Sequence, residues 1–329
     1  MQKRQLLILT ERGRGLFRQR LLRWYDGHKR DLPWRMSHDP YHVWLSEIML
    51  QQTRVTAVLG HYQRFLKRFP TVEFLARARL SSVLAVWSGL GYYRRAHMLH
   101  AAAKKVVKEF CGKLPARSRS LRTLPGIGRY TAAAIASIAF NEPVAAVDGN
   151  VKRVLQRVLG ETLTGEELWG AAERVLSRRR SGDFNQAIME LGSTVCLPRR
   201  PKCLLCPVRD LCVTRGAGGK EEKTAGQNKR EICYALDCQD GSVFLVRRPE
   251  DASLMPGMWE LPEICAPNGE PPTKTWMTFR HSITVTDYLV GVAQEPAPSV
   301  KGCWVRRSRL PYLPLTGLTR KILRAAKII

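Results

Sequence analysis

Four cysteines stand close together as Cys196-x6-Cys203-x2-Cys206-x5-Cys212, and they carry the most specific signal in the chain. Thiolates gathered this tightly, with Pro198, Pro201 and Pro207 shaping the loops between them, form a metal site. Zinc ribbons pair two short-spaced cysteine knuckles. Here only the central pair has that spacing, so a cysteine-ligated iron–sulfur cluster is preferred. The remaining cysteines, Cys111, Cys233, Cys238, Cys265 and Cys303, share no motif and are expected to be ordinary buried or half-buried thiols.

A second constellation runs from Leu124 to Asn150. Leu124-Pro125-Gly126-Ile127-Gly128-Arg129-Tyr130-Thr131 leads into an alanine-rich helical pattern and ends at Val147-Asp148-Gly149-Asn150. A Pro-Gly-x-Gly turn feeding a helix aims free N–H groups at an anion such as a phosphate, and Gly126 and Gly128 allow close backbone approach. Asp148 and Asn150 occupy N-cap-like positions before Val151-Lys152-Arg153-Val154. Such an acid can be a plain cap. A helix N-terminus also favours the ionised form, which a nucleophile or cation stabiliser needs. Glu47 is either a surface acid or, beside Trp44 and Ile48, one whose pKa is raised.

Helices must position these groups. Phe17, Leu21, Leu22 and Trp24 recur at helical spacing, so Met1 to Arg23 reads as a first helix rather than a transit peptide. Asp39-Pro40 starts a helix with an N-cap acid and a proline at its first position. Its apolar stripe is Tyr41, Trp44, Leu45 and Ile48, beside the polar line Glu47, Gln51, Arg54. Thr53 caps a following helix to about Phe69. Helices over 72–78, 81–87, 94–110 and 114–124 follow, then one capped by Asp183 that runs to Val195. Ser88-Gly89-Leu90-Gly91-Tyr92-Tyr93 is a tight turn with aromatics, able to present a ring to bases or to anchor one in the core. Residues 213–229 read as a linker. The period then becomes strand-like, with Asp240-Gly241 as a hairpin, a strand pair around 277–292 and a final helix after Leu318.

The chain has 329 residues, with 54 Lys+Arg against 28 Asp+Glu and a net charge of +26. Self-repulsion on that scale points to a polyanionic partner, and nucleic acid fits best. No long apolar span or lysine-rich amphipathic helix suggests a membrane. With no secretory signal, a reducing cytoplasmic location, bacterial and nucleoid-associated, is expected, and disulfides are not.

Glu47-Ile48-Met49-Leu50-Gln51-Gln52-Thr53, Gly89 to Tyr93, Leu124 to Ala132, Val147 to Val151 and the cysteine spacing, in this order, resemble the MutY-type adenine DNA glycosylases over nearly the whole chain. The resemblance implies a mainly α helix-hairpin-helix glycosylase domain (1–212) with an iron–sulfur loop (196–212). The linker (213–229) and an α+β Nudix-like domain (230–329) that recognises 8-oxoguanine would follow. It implies a monomer acting on duplex DNA with an A:8-oxoguanine or A:G mismatch, from which adenine is flipped and released. Glu47 would be the general acid and Asp148 the oxocarbenium stabiliser or nucleophile, with Tyr130 and Asn150 orienting them. Gln52 and Tyr92 would enter the duplex, the Gly126–Gly128 amides would hold phosphate, and Phe279, His281 and Ser282 would read the lesion. Cys196, Cys203, Cys206 and Cys212 would ligate a [4Fe–4S] cluster.

Tyr130 stands where the endonuclease III branch carries a Schiff-base lysine, so base excision without efficient strand cleavage is expected. The family's Phe-Ser-His loop reads Phe279-Arg280-His281-Ser282 here, with Arg280 in place of the small hydroxyl. A Glu-rich Nudix box is missing, so nucleotide hydrolysis is not expected. A thymine mismatch glycosylase and a non-catalytic DNA-binding protein are the alternatives.

Overall fold

The computed structural model describes residues 10–215, 228–264, 275–283 and 286–329. Residues 1–9, Cys265 and most of the expected linker lie outside the described residues. The chain divides into two compact units, one formed by 10–62, 71–73 and 101–215, the other by 63–70, 74–100 and 228–329. Among the described residues no helix is long and apolar enough to cross a membrane.

Helix α1 (Glu11–His28) is capped by Thr10, whose hydroxyl accepts from the Gly13 amide at 3.0 Å. After a 3-10 turn at Pro33–Arg35 comes α2 (Pro40–Leu50). Its start follows the sequence expectation, because the Asp39 carboxylate accepts from the Tyr41 and His42 amides at 2.8 and 3.1 Å. Then come α3 (Val55–Arg68), α4 (Val72–Arg77), α5 (Leu80–Trp87) and α6 (Arg94–Glu109). The helix expected over 114–124 shrinks to α7 (Ser118–Leu121). Glu142 takes the Ser118 amide at 2.7 Å, which sets the start of the turn there rather than at Pro115. Next are α8 (Arg129–Phe140), α9 (Gly149–Leu159), α10 (Gly165–Val175) and α11 (Ser181–Thr194). Asp183 does not cap α11 as expected. It lies in the first turn and pairs with Arg180 at 2.7 Å.

The core of the first unit is built around α9. Val151, Val154, Leu155, Val158 and Leu159 are buried on one face, at the spacing of a helical stripe. They pack with Phe17, Leu21 and Tyr25 of α1, with Phe184, Ile188 and Leu191 of α11, and with Cys212. Phe17 and Phe184 meet edge to face with centroids 6.1 Å apart. Where α9 and α11 cross, the backbones nearly touch. A Cβ on Gly192 would lie 2.6 Å from Asn150 Cβ and 3.1 Å from its Cα.

In the second unit, β1 (Asn228–Ala235), β6 (Thr286–Ala293) and β5 (Met277–Ile283) form one sheet in the order β1-β6-β5. β5 and β6 are antiparallel, as the expected strand pair requires. β1 runs parallel to β6. A second sheet joins β2 (Cys238–Gln239), β3 (Ser242–Arg247) and β4 (Trp259–Glu260), with β7 (Cys303–Arg306) on β3. Asp240 and Gly241, with φ of 47° and 72°, make the hairpin between β2 and β3. The last helix, α12 (Gly317–Ala325), is capped by Thr316, and its Leu318, Ile322 and Leu323 join the β core. Cys111, Cys238 and Cys303 are exposed, which corrects the expectation that they are buried or half-buried, whereas Cys233 is half-buried as expected.

Gly192→Ala is expected to destabilise the chain by about 1–3 kcal/mol, because the added methyl meets backbone atoms that α9 cannot withdraw without opening its core. Chemical denaturation of the two proteins side by side measures this.

Candidate functional site

Glu47 projects from α2, whose whole middle is buried, and the residue is only 8% exposed. Of the two readings of this acid, burial is the correct one. The Tyr130 hydroxyl, one residue into α8, donates to Glu47 Oε2 at 2.9 Å and lies 3.6 Å from Met189 Sδ. Burial pushes the Glu47 carboxyl up to about 7, and the nearby Asp148 carboxylate adds to the rise. The Tyr130 hydrogen bond and the positive charge of Arg35 oppose it without winning. Tyr130 itself is raised well above the ordinary phenol range by burial and by the two acids, so its proton stays on oxygen as a donor.

Asp148 caps α9. Its Oδ1 accepts from the Val151 amide at 2.7 Å and its Oδ2 from Asn150 Nδ2 at 2.8 Å. Both of its oxygens are therefore oriented, and it sits at the positive end of the helix. The Asn150 oxygen in turn accepts from Arg153 Nη2 at 2.7 Å. Arg153 also donates to the carbonyls of Gly192 and Cys196, each at 2.8 Å. One turn further, Arg157 donates to Leu197 O at 2.7 Å and Pro198 O at 2.9 Å, and its Nη1 lies 3.4 Å from Cys196 Sγ. The Cys212 thiol reaches Arg157 O at 3.3 Å. One helix thus carries the candidate acid at its first turn and holds the cysteine loop with its next two.

Cys196, Cys203, Cys206 and Cys212 line a single recess, floored by Val154, Val158 and Leu191. Burial, first of all, pushes the Cys206 thiol up to about 11 and raises Cys203 as well. Thiolates there need a compensating cation. Among the described residues no group of three Cys, His, Asp or Glu is close enough to hold one metal ion. Four thiols lining one recess are a donor set that fits a cysteine-ligated iron–sulfur cluster.

A buried ion group lies beside the acids and was not recognised in the sequence. Glu190 of α11 is 1% exposed and accepts from Arg30 Nε at 2.6 Å and Arg35 Nη2 at 2.8 Å. Burial alone would raise its carboxyl, but the two guanidiniums outweigh that and lower it. Arg35 is thereby fixed within reach of Glu47. The signal available was an acid set among Ile188, Met189 and Leu191 on an otherwise apolar face.

The hairpin leaves Gly126 and Gly128 exposed and anchors Ile127 in the core. Gly128 is the N-cap of α8 with no side-chain bond capping the helix start, and a Cβ there would meet nothing within 4 Å among the described residues. Gln52 is exposed with φ 53° just past the end of α2. In the second unit Tyr92 is exposed and Tyr93 buried, so the pair divides between the two roles considered for it. Phe279 lies under the Lys321 ammonium, 4.3 Å from its ring centre. His281 is lowered by burial and by Lys321, and the Ser282 hydroxyl donates to Asp287 at 2.5 Å. Arg280 is exposed on the same strand.

Because the folded Glu47 pKa of about 7 lies above the ordinary 4.5, the folded chain binds an extra proton between those values. Its contribution to stability is present at low pH and is lost as pH rises through about 7. Glu47→Gln keeps an acceptor for Tyr130 and removes the buried charge. It is expected to be roughly 3 kcal/mol more stable than the parent at about pH 8, with no difference near pH 4. Urea unfolding at both pH values measures this.

Residues 45–168 match the family model described as HhH-GPD superfamily base excision DNA repair protein, and residues 196–212 match the iron–sulfur binding domain of endonuclease III. The chain accordingly binds a [4Fe–4S] cluster. Adenine DNA glycosylase of Homo sapiens is 48% identical over 224 residues, covering 64% of this chain and 41% of that protein. Adenine DNA glycosylase of Schizosaccharomyces pombe is 32% identical over 318 residues, covering 75% of this chain and 69% of that protein. A solved thermostable thymine-DNA glycosylase superposes with TM-score 0.58 at 31% identity, covering 61% of this chain and 96% of the other. The chain spans 41–61% of the length of the mammalian relatives it matches. On the helical fold, the cysteine loop and likeness across most of the S. pombe protein, the chain belongs to the adenine DNA glycosylase family of base excision repair proteins.

Proposed function

We propose that the chain is a monofunctional DNA glycosylase that hydrolyses the N-glycosidic bond of adenine mispaired with 8-oxoguanine or guanine in duplex DNA. The observation that carries the reading is Glu47, buried with a pKa of about 7 and bonded to Tyr130. An acid so placed is half protonated at neutral pH and can give its proton to N7 of a flipped adenine, making the base a neutral leaving group. The resulting carboxylate can then take a proton from the attacking water. Asp148, with both oxygens oriented, stabilises the positive charge growing on the sugar or bonds to it before water displaces it. Tyr130 and Asn150 are positioning residues. A tyrosine cannot form an imine, so no lyase step follows.

Residues 1–212 would be the glycosylase domain and 230–329 a Nudix-like domain reading 8-oxoguanine through Phe279, His281 and Ser282. Gln52 and Tyr92 would enter the duplex, and the amides at Gly126 to Gly128 would grip the phosphate backbone. Cys196, Cys203, Cys206 and Cys212 would hold the cluster, whose role here is to staple the basic loop containing Arg199, Arg200 and Lys202. The structural likeness to a protein named as a thymine-DNA glycosylase supports a second reading in which the excised base is thymine.

Single-turnover cleavage of duplexes carrying A:8-oxoguanine, A:G and T:G, with alkali to reveal abasic sites, separates these readings. Release of adenine, with strands intact before alkali, is expected. Glu47→Gln is expected to slow release by about 10²–10⁴-fold, and Asp148→Asn to abolish it, with DNA binding retained. The rate is expected to fall about tenfold per pH unit above about 7, as the acid loses its proton. Undiminished turnover in both variants would overturn the assignment, and binding without release by the parent would leave a DNA-binding protein.

A further inference from the structure

The turn that presents Tyr92 is strained and exposed, yet it is held from several sides. Tyr92 has φ 49°, a left-handed conformation unusual for a residue with a side chain, and its ring is 45% exposed. The Gly91 carbonyl accepts from Trp87 Nε1 at 3.1 Å and from Arg95 Nη2 at 3.2 Å, with the Arg95 guanidinium over the Tyr92 ring at 5.3 Å. Those contacts are local. The next layer comes from α12, more than two hundred residues away in sequence. Ser88 Oγ donates to Leu315 O at 2.5 Å and accepts from Arg320 Nε at 2.9 Å. The buried Tyr93 hydroxyl accepts from the Gly89 amide at 3.2 Å and is also hydrogen-bonded to Ser88 and to the Gly317 amide at the start of α12.

We infer that Arg320, acting through Ser88 and Tyr93, is a positioning residue that locks the 88–93 turn to the last helix and thereby sets how effectively Tyr92 enters mismatched DNA. The inference rests on the glycosylase reading for its consequence, though not for the lock itself. Arg320 is ill suited to a purely stabilising role. Its charge is opposed first by burial and then by the neighbouring guanidiniums of Arg324 and Arg64, and its Nη2 is buried with no hydrogen-bond partner among the described residues. What Arg320 does make is the bond that orients Ser88. A left-handed tyrosine on a glycine-flanked turn relaxes readily unless the backbone around it is overdetermined. The C-terminal unit then contributes to mismatch selection in a second way, separate from any contact it makes to the lesion.

Two measurements test this on the full-length holoprotein, using Arg320→Met, Arg320→Lys and Ser88→Ala. Hydrogen–deuterium exchange of the free protein is expected to rise roughly tenfold at the amides of 89–95 in Arg320→Met and Ser88→Ala, with partial recovery in Arg320→Lys. On DNA, Arg320→Met is expected to weaken binding to an abasic-site analogue opposite 8-oxoguanine by roughly tenfold, and to have no further effect in a Tyr92→Ala background. Unchanged exchange overturns the lock whatever the enzyme's substrate. Additive losses in the double variant overturn its action through Tyr92. A parent that releases no base from any duplex refutes the glycosylase reading instead, and the exchange result still decides the lock. Because Ser88→Ala removes only one hydroxyl, it keeps the test decisive if Arg320→Met fails to fold.

Discussion

The cap at the N-terminus of α9 is the interaction on which the rest of the site depends. Asp148 makes an ordinary capping bond to Val151, and in the proposed reaction the same carboxylate would be the group offered to the substrate. The cap is rigid because α9 is rigid, gripped along five buried positions between α1 and α11. The bare backbone of Gly192 lets α11 approach Asn150 closely enough for Arg153 to bridge the two helices. The next turn anchors the cysteine loop through Arg157. A chain of hydrogen bonds thus runs from the loop through Arg153 and Asn150 to the candidate acid. The family's use of a metal cluster at this point becomes intelligible as reinforcement of a helix that carries chemistry at its other end.

The two acids are kept apart in character by their surroundings. Asp148 has two donors, the Val151 amide and the Asn150 side chain, that orient its oxygens at a helix terminus. Glu47 has one donor, a phenol, in a buried apolar setting, which favours the neutral acid. This is the environment-driven separation by which a pair of carboxyls can serve as acid and as charge stabiliser at the same pH. Arg35 limits how far Glu47 rises, and Glu190 limits Arg35 in turn.

Features set by neighbours in the chain were readable from the residues. Asp39-Pro40 starts its helix, the stripe of Tyr41, Trp44, Leu45 and Ile48 along that helix is buried, Asp240-Gly241 turns a hairpin, and the cysteine run closes on one recess. Features set across the fold were not. Whether Glu47 was a surface or buried acid could not be decided from α2 alone, because its partner Tyr130 is 83 residues away. Glu190 meets Arg30 and Arg35 across 160 and 155 residues, with no local pattern to announce it. The parallel pairing of β1 with β6 spans a long connection, whereas the antiparallel β5–β6 pair is local and was expected. The start of α7 and the cap of α11 were misjudged because Glu142 takes the Ser118 amide and Asn141 the Ser181 amide, while Asp183 pairs with Arg180 instead.

A surface carrying +26 repels itself, and the exposed hairpin amides and the left-handed Tyr92 add groups that the free protein does not use. In the proposed function a polyanion with bases to stack on would make use of each of them. The acid pair, by contrast, is preformed and needs no partner to take shape. Binding and chemistry are thus separated in their physical origin. The helices hold the acids in place through burial and capping, while the proposed engagement with DNA would draw on the surplus of positive charge and on exposed backbone at the hairpin.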